Sequence, residues 1–237
     1  MTGINVTHKM YMQGDYKMKN PIWHVEDSSW KASKIILMMK RNNIVPKTIC
    51  EVGCGAGEIL KQLQSKINTE CMLWGYEISP QAFELCKNKT NEKLHFELKD
   101  FLQEKNVHFD LILLIDLIEH LDDYFNFLSE IKPKSQYKIL HIPLDLSVQT
   151  VFRSSPIMRA RTLVGHLHYF TKEITLQILE DVGYQIIDYF YTAGTVEIPA
   201  KSIKSYIARL PRKLFFAINQ DLSVRIMGGF SLMVLAK

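Results

Sequence analysis

Short apolar segments alternate with amphipathic segments along the first part of the chain. The segments that predict strands are 47–52, 71–77, 93–98, 109–115 and 137–142. Phe109–Ile115 is almost continuously apolar, which is typical of a strand that is buried on both faces of a parallel sheet. Between these strands, apolar residues recur at helical spacing. The alternation predicts an α/β fold with a doubly wound sheet.

The regular alternation is interrupted twice in the second part of the chain. Residues 144–170 and 194–222 contain no clear strand and are interpreted as insertions after strands five and six. Between them, Thr171 begins a helix that ends near Gly183, and Tyr184–Tyr191 predicts the sixth strand. The sequence therefore predicts one domain over residues 1–237.

The last segment, 225–237, predicts a final strand or a pair of strands, with Gly228-Gly229 as a bulge. No tightly packed crossover helix is evident before it, so we predict an antiparallel strand at this edge of the sheet. The segment 1–45 predicts an N-terminal lid and a helix, and 46–143 predicts the ligand-binding core.

The glycine-rich stretch 51–57 (EVGCGAG) follows the first predicted strand, where α/β sheets bind ligands. Glycines allow the backbone to turn sharply and to approach a ligand closely. A P-loop would end in Gly-Lys-Ser/Thr, and a dinucleotide fingerprint needs a glycine where Glu58 stands. Glu51, two residues before the first glycine, favours a ligand with a positive charge and disfavours a pyrophosphate.

This stretch resembles motif I of the class I S-adenosylmethionine-dependent methyltransferases. Further residues stand where that family carries its cofactor ligands. The resemblance implies a Rossmann-like seven-stranded sheet and S-adenosylmethionine as the cofactor. It implies that the cofactor-binding residues are Glu51, Gly53, Gly55, Gly57, Glu77, Ile78, Asp100, Phe101 and Asp116.

The resemblance also implies a part for most of these residues. Glu51 and the glycines would shape the methionine pocket, and Glu77 would accept both ribose hydroxyls. Asp100 and Phe101 would hold the adenine. Asp116 would lie near the methionine or the acceptor, as part of a motif that includes Glu119-His120.

Residues 20–31 (NPIWHVEDSSWK) resemble the segment before the core in a bacterial subgroup that acts on sugars of surface polysaccharides. The predicted function is O-methylation of a small molecule, such as a sugar precursor, by in-line displacement. The alternatives are N-methylation of an amino sugar or small amine, a non-catalytic cofactor-binding module, and an NAD-dependent enzyme. Trp23 and Trp30 would exclude water as parts of a lid, or would only pack.

A hydroxyl acceptor benefits from a general base whose pKa is near neutrality, and histidine suits this role. The predicted candidates are His168, His141 and His166, which lie at the end of the fifth strand and at the end of the first insertion. The same histidines, with Asp145 and Asp116, could instead hold a divalent metal. Because their spacing is not diagnostic, no metal site is predicted.

Composition and local sequence features predict the location of the protein. Hydrophobic residues make up 47% of the chain, and no segment approaches the roughly 20 apolar residues of a membrane span. The N-terminal residues contain no apolar core of a signal peptide. The four cysteines, Cys50, Cys54, Cys71 and Cys86, form no CxxC pair. These features predict a cytoplasmic protein with reduced cysteines.

Charge is distributed unevenly. Residues 151–237 carry 11 basic and 6 acidic side chains, whereas residues 1–150 carry 18 and 19. The segment 198–220 is basic and contains no acidic residue, and Pro211 should break or kink its helix. It predicts a solvent-facing helix, a peripheral membrane contact or a site for an anionic or lipid-linked sugar. A dedicated nucleic-acid-binding protein would be more basic.

Overall fold

A computed structural model describes residues 10–12, 14–23, 25–67, 69–199 and 203–237. Seven strands form one sheet in the order β3-β2-β1-β4-β5-β7-β6. All neighbouring pairs up to β5 are parallel, and β7 runs antiparallel to both β5 and β6. The strands are β1 Thr48–Val52, β2 Met72–Glu77, β3 Leu94–Leu98, β4 Phe109–Ile115, β5 Ser135–Leu144, β6 Ile186–Thr192 and β7 Phe230–Ala236.

Helices cover both faces of this sheet, as the predicted doubly wound fold requires. In chain order they are α1 Asp15–Lys19, α2 Ser28–Arg41, α3 Glu58–Gln64, α4 Pro80–Cys86, α5 Tyr124–Ile131, α6 Val148–Arg153, α7 Ser155–Arg159, α8 Lys172–Asp181, α9 Gly194–Glu197, α10 Ile203–Ile218 and α11 Gln220–Met227. None of the helices in the described ranges is both long enough and apolar enough to cross a membrane.

Two apolar cores lie on opposite faces of the sheet. In β4, Leu111 and Leu113 pack into one core, and Ile112 and Leu114 pack into the other. All four side chains are buried. The strand is therefore buried on both faces, as its continuous apolar pattern predicted.

The register of the parallel strands places their carboxyl ends together. Ile115 of β4 lies beside His141 of β5, and Val52 of β1 lies beside Tyr76 of β2. The loops that follow β1, β2 and β4 therefore open at one edge, together with the end of β5. This edge is where ligands bind in α/β sheets.

The second half of the chain differs from the prediction in detail. Residues 225–227 finish α11, and Gly228-Gly229 joins this helix to β7 with φ of 64° and 78°, so the pair is a helix-to-strand turn and not a bulge. The sixth strand begins at Ile186. Helix α10 continues through Pro211. Pro143 lies inside β5, in the part that pairs only with β7.

The two predicted insertions are mainly helical. The first contains α6 and α7, and α7 continues into a π-turn over Ala160–Val164. The second contains α9, α10 and the start of α11. Both lie beyond the carboxyl ends of the strands, and both contribute residues to the cavity described next.

Candidate functional site

A cavity of about 910 Å³ opens at the carboxyl ends of the strands. Its wall includes most of the residues for which the sequence predicts a cofactor role. These are Glu51, Gly53, Gly55, Glu77, Ile78, Asp100, Phe101 and Asp116. Two of the three predicted base histidines, His141 and His166, also line it.

The glycine-rich loop after β1 has a left-handed backbone at its three glycines. Gly53, Gly55 and Gly57 have φ of 72°, 54° and 69°, a region that side chains disfavour. A Cβ at Gly55 would meet only the Trp23 ring, at 3.7 Å, so this glycine faces the cavity.

Gly57 differs from the prediction, since it is not part of the cavity wall. A Cβ at this position would lie 2.5 Å from the Phe96 ring and 2.8 Å from Cβ of Cys86. Gly57 therefore allows the start of α3 to pack closely against its neighbours, and it acts on the cavity only through the shape of the loop.

Glu77 at the end of β2 is buried and organises the loops around it. Its Oε2 accepts a hydrogen bond from Gly55 N–H at 2.8 Å. Its Oε1 accepts from Ile78 N–H at 2.9 Å and from Ser79 N–H at 2.8 Å. Burial raises the pKa of Glu77, and these backbone donors oppose that effect. The carboxylate thus joins the loops after β1 and β2 at the cavity wall.

Glu51 is a buried carboxylate that lines the same cavity. Its side-chain atom Oε2 has no hydrogen-bond partner in the described part of the chain. Burial raises its pKa well above the usual value, although Lys31 opposes the shift. An unpartnered carboxylate oxygen at this wall fits a ligand that brings a positive group, as S-adenosylmethionine does.

Asp100 and Phe101 follow β3 at the far end of the cavity. The Asp100 side chain caps a short turn by accepting from Leu102 N–H at 2.9 Å. The Phe101 ring is buried and packs edge-on against Tyr76, with 4.9 Å between ring centroids. An exposed carboxylate beside an aromatic wall is suited to an aromatic base that carries an amino group.

Asp116, directly after β4, has φ of 49°, which is unusual for a residue with a side chain. Its Oδ1 lies 2.5 Å from His141 Nδ1, and its Oδ2 lies 2.7 Å from Lys31 Nζ. Lys31 also pairs with Asp27 at 3.0 Å. Burial opposes ionisation, but His141 and Lys31 hold the pKa of Asp116 below its usual range.

The opposite end of the cavity contains a second set of titratable side chains. His166 Nδ1 lies 2.6 Å from Asp145 Oδ2, and His120 Nδ1 lies 3.1 Å from the Gly165 carbonyl oxygen. Glu119, which directly precedes His120, is fully buried, and a carboxylate oxygen of Glu119 lies within 4.8 Å of a ring nitrogen of each histidine. Burial, followed by the nearby His166, lowers the pKa of His120 to about 4.

Comparison with known families decides the class of this site. A family model described as "Methyltransferase domain" matches residues 26–189, which is more than half of the chain. The chain belongs to this methyltransferase family. The match confirms the family that the glycine-rich motif predicted, and it supports S-adenosylmethionine as the cofactor.

Individual relatives of this chain are distant. It is 29% identical over 93 residues to a probable chloroplastic tocopherol O-methyltransferase of Oryza sativa subsp. japonica, an alignment that covers 36% of this chain and 25% of the relative. It is also 29% identical over 92 residues to norajmaline N-methyltransferase of Rauvolfia serpentina, covering 36% of this chain and 31% of the relative. The chain thus spans about a quarter to a third of these curated relatives.

Solved structures confirm the predicted fold. Magnesium protoporphyrin IX methyltransferase from Synechocystis PCC 6803 superposes with a TM-score of 0.62. The match covers 98% of this chain and 97% of that one, at 14% sequence identity. A likeness at this identity establishes the shared seven-stranded architecture.

The three predicted base histidines occupy different environments. His141 is buried, and both of its ring nitrogens are engaged, Nδ1 by Asp116 and Nε2 by Thr192 Oγ1 at 2.8 Å. His168 is not in the cavity wall, because its Nε2 lies 2.9 Å from the Leu121 carbonyl oxygen and its ring packs edge-on against Tyr124. His166 alone of the three lines the cavity with a ring nitrogen, Nε2, that makes no hydrogen bond among the described residues.

Several residues in the cavity wall, or hydrogen-bonded to it, were missed in the sequence. Lys31 and Asp27 form an i,i+4 pair at the start of α2, a spacing that could have indicated an ion pair. Thr192 gives no such signal, because only the pairing of β6 with β7 brings it to His141.

Aromatic residues from the N-terminal segment cover part of the cavity. Tyr16 and Trp23 rings lie 4.6 Å apart, and Tyr11 packs edge-on against His120 at 5.8 Å. Lys19 Nζ donates to the Thr162 carbonyl oxygen at 2.9 Å, so the segment is tied to the first insertion. His24 of the predicted lid lies outside the described residues.

Proposed function

We propose that this protein transfers the methyl group of S-adenosylmethionine to a hydroxyl oxygen of a small, anionic acceptor. When bound, S-adenosylmethionine supplies a methyl carbon on a positively charged sulfur, so that the attacking oxygen gains the methyl and the sulfur keeps the bonding electrons. The observation that carries the proposal is a single cavity with a cofactor-type end and a second end rich in proton-handling groups.

Different residues of the chain bind the methionine portion, the ribose and the adenine of the cofactor. Glu51, with its unpartnered oxygen, faces the positively charged methionine portion. Glu77 retains acceptor capacity on both oxygens and receives the ribose hydroxyls. Asp100 and Phe101 hold the adenine by a hydrogen bond to its amino group and by packing. Asp116 separates the methionine portion from the acceptor.

The acceptor atom is assigned from the chemistry of the opposite end. The curated relatives include both an O- and an N-methyltransferase, so similarity does not choose between them. An amine attacks once it is unprotonated, whereas a hydroxyl needs help in losing its proton. The group of Glu119, His120 and His166, of which the first two are buried, supports a hydroxyl. Among the predicted bases, its member His166 is the one with the more available nitrogen.

Basic residues of the second insertion support an anionic acceptor. Arg209 of α10 lines the cavity and donates to the Ile198 carbonyl oxygen at 2.8 Å, which fixes its guanidinium at the cavity wall. A sugar phosphate or a lipid-linked sugar would supply the complementary charge.

Among the described residues, the four buried cysteines are all free, which agrees with a cytoplasmic location.

The N-terminal segment acts as a lid in this proposal. The Trp23 ring lies 3.7 Å from the place that a Cβ of Gly55 would take, and Trp30 donates from Nε1 to Glu197 Oε2 at 2.8 Å. Closing the cavity with aromatic residues excludes water and aligns the acceptor with the methyl group.

Two measurements test the proposed reaction. Calorimetric binding of S-adenosylhomocysteine should weaken about 100-fold in Glu77→Gln, because two charged hydrogen bonds of about 1.5 kcal/mol each are lost. Glu97→Gln, an exposed residue of β3, is the matched control. Unchanged affinity in Glu77→Gln would contradict the cofactor assignment. Methyl transfer to amines but to no hydroxyl in an acceptor panel would contradict the assigned acceptor.

A second element of the proposal concerns the surface of the two insertions. On α10, the apolar side chains Ile207, Leu210, Leu214 and Ile218 are 40–78% exposed and recur at helical spacing. Phe152 of α6 is 90% exposed. The segments 146–164 and 198–219 contain no acidic residue, and Arg212 of α10 lies 3.5 Å from Gln149 of α6. Residues 200–202 of the basic segment lie outside the described residues.

An exposed apolar stripe flanked by basic residues supports contact with an anionic membrane surface. We expect the protein to float with vesicles that contain phosphatidylglycerol at low salt, and to remain unbound with neutral phosphatidylcholine vesicles. The double variant Leu214→Glu/Ile218→Glu should lose flotation and keep S-adenosylhomocysteine binding. Wild-type protein that does not bind anionic vesicles would contradict this contact.

A further inference from the structure

Three side chains at the acceptor end place metal-ligand atoms close together. One donor atom from each of Glu119, His120 and His166 lies within 4.8 Å of the other two. Donor atoms around a single metal are separated by about 3–4 Å when each bond is about 2.1 Å long. A small rotation of the side chains would therefore bring all three atoms to one ion.

Both imidazoles are held in the way that metal-bound histidines are held. His166 Nδ1 is hydrogen-bonded to the Asp145 carboxylate, and His120 Nδ1 to the Gly165 carbonyl oxygen. These partners orient each ring, and for His120 the carbonyl requires Nδ1 to carry the proton. The Nε2 atoms are left as ligand atoms. The rings stand nearly perpendicular, with 4.9 Å between their centroids.

Glu119 supplies an independent observation that indicates a cation. Its side chain is 0% exposed, and neither carboxylate oxygen has a hydrogen-bond partner in the ranges that the structure describes. Its Oε1 lies 3.9 Å from His120 Nε2, which is too long for a hydrogen bond. Lys31, a cation on this side, is already paired with Asp27 and Asp116. A buried carboxylate without a partner is costly, and a bound cation would offset that cost.

The backbone fixes the three residues relative to one another. Leu167 N–H and His168 N–H both donate to the Glu119 carbonyl oxygen, at 2.7 and 3.1 Å. The short turn Ile118–His120 after β4 is thereby joined to the segment that ends the first insertion. The site is assembled by the fold before any ligand arrives.

We propose that Glu119, His120 and His166 bind one divalent transition-metal ion at the acceptor end of the cavity. Two imidazole nitrogens and one carboxylate favour ions such as Zn²⁺, Co²⁺ or Mn²⁺ over Mg²⁺ or Ca²⁺, which prefer oxygen ligands alone. Three protein ligands leave coordination positions open. Since all three residues line the cavity, the open positions face the acceptor.

This site differs from the metal alternative raised by the sequence, which combined His141, His166 and His168. Both ring nitrogens of His141 are engaged, and His168 lies outside the cavity wall. The residues that the fold brings together instead are the two that follow β4 and one histidine of the first insertion.

The metal has a defined part in the proposed methyl transfer, and this part rests on that proposed function. With the metal bound, His166 would be a ligand and not the base. Coordination would lower the pKa of the acceptor hydroxyl, and its proton would leave to water before the N-terminal segment closes the cavity. The resulting oxygen forms the new bond to the methyl carbon as the bond from carbon to sulfur breaks. The electron pair of that bond stays on sulfur, which becomes a neutral thioether.

Co²⁺ added to EDTA-treated protein tests the site without any acceptor or cofactor. We expect one equivalent to bind by calorimetry, with visible absorption bands from nitrogen and oxygen ligation. His166→Ala and Glu119→Gln should lose the bands. Asp145→Asn should weaken Co²⁺ binding about 10–100-fold, because the Asp145 carboxylate orients His166. His95→Ala, a histidine of β3 outside the cavity wall, is the control and should bind like wild type.

The possible failures have separate meanings. Absence of Co²⁺ binding, or equal binding by wild type and His166→Ala, would overturn the metal site whatever the reaction. Full methyl transfer by metal-free protein would overturn the metal's part in the reaction. Intact Co²⁺ binding without transfer to any hydroxyl would contradict the proposed function alone, because the binding assay contains no acceptor.

Discussion

The two ends of the cavity are built in different ways. At the cofactor end, Glu77 accepts three backbone N–H groups from the loops after β1 and β2, and the glycines between them supply the necessary turns. At the acceptor end, the Glu119 carboxylate has no hydrogen-bond partner in the described part of the chain, and the imidazoles come from two distant segments. The carboxylate at one end is satisfied by backbone donors, whereas the carboxylate at the other end is left to a ligand such as the metal ion proposed above.

This difference indicates how each end can vary. A cofactor pocket that is held by backbone hydrogen bonds tolerates few changes, because every donor must keep its acceptor. The acceptor end consists of side chains on a turn and on an insertion, so it can change without altering the sheet. Asp116 pairs with Lys31 and thereby connects the loop after β4 to α2.

Replacing Asp116 should therefore have the largest effect on stability. Asp116→Asn removes the charge that pairs with Lys31 and His141, and loss of one partner from a largely buried pair should lower the free energy of unfolding by about 3 kcal/mol. Urea unfolding at pH 7 measures this loss. Asp181→Asn, on the exposed end of α8, provides a control with the same chemical change.

The pH dependence of that difference follows from the lowered pKa of Asp116. A carboxyl with a lowered folded-state pKa stabilises fully above the ordinary Asp pKa of about 4, and the contribution is lost as the pH falls towards the folded-state pKa. The unfolding free energies of wild type and Asp116→Asn should therefore begin to converge as the pH falls below about 4. A difference that is constant down to acid pH would contradict the ion pair.

Variants of two glycines in the loop after β1 should distinguish a role in packing from a role in cofactor binding. Gly57→Ala should destabilise by about 2 kcal/mol, because its Cβ would overlap the Phe96 ring in a left-handed conformation. Gly55→Ala should cost only about 1 kcal/mol, since its Cβ meets Trp23 at ordinary contact distance. Because Gly55 faces the cavity, its variant should weaken S-adenosylhomocysteine binding more. The reverse order of the two stabilities would contradict the assigned roles.

The smallest effect is expected at His168. His168→Ala removes one hydrogen bond to the Leu121 carbonyl oxygen and should lower the free energy of unfolding by about 1 kcal/mol. Co²⁺ and S-adenosylhomocysteine affinities should stay at wild-type values, because the ring lies outside the cavity wall. Loss of either affinity in a folded variant would place His168 in the site after all.

Local sequence determined the sheet and the cofactor end. Buried parallel strands have a distinctive apolar pattern, and the residue after each strand must lie at one edge. Glu51, Glu77, Asp100 and Asp116 stand at or just after the ends of the first four strands. The resemblance to the family's motifs therefore predicted one site for them, and all four line the cavity.

Only the tertiary structure decided the acceptor end. His166 and His168 are two residues apart in an irregular segment, where spacing does not fix which side a ring faces. Hydrogen bonds from this segment to the Glu119 carbonyl oxygen bring His166 into the cavity, and a bond to the Leu121 carbonyl oxygen holds His168 away from it. Such contacts join positions more than 40 residues apart, so no local pattern in the sequence encodes them.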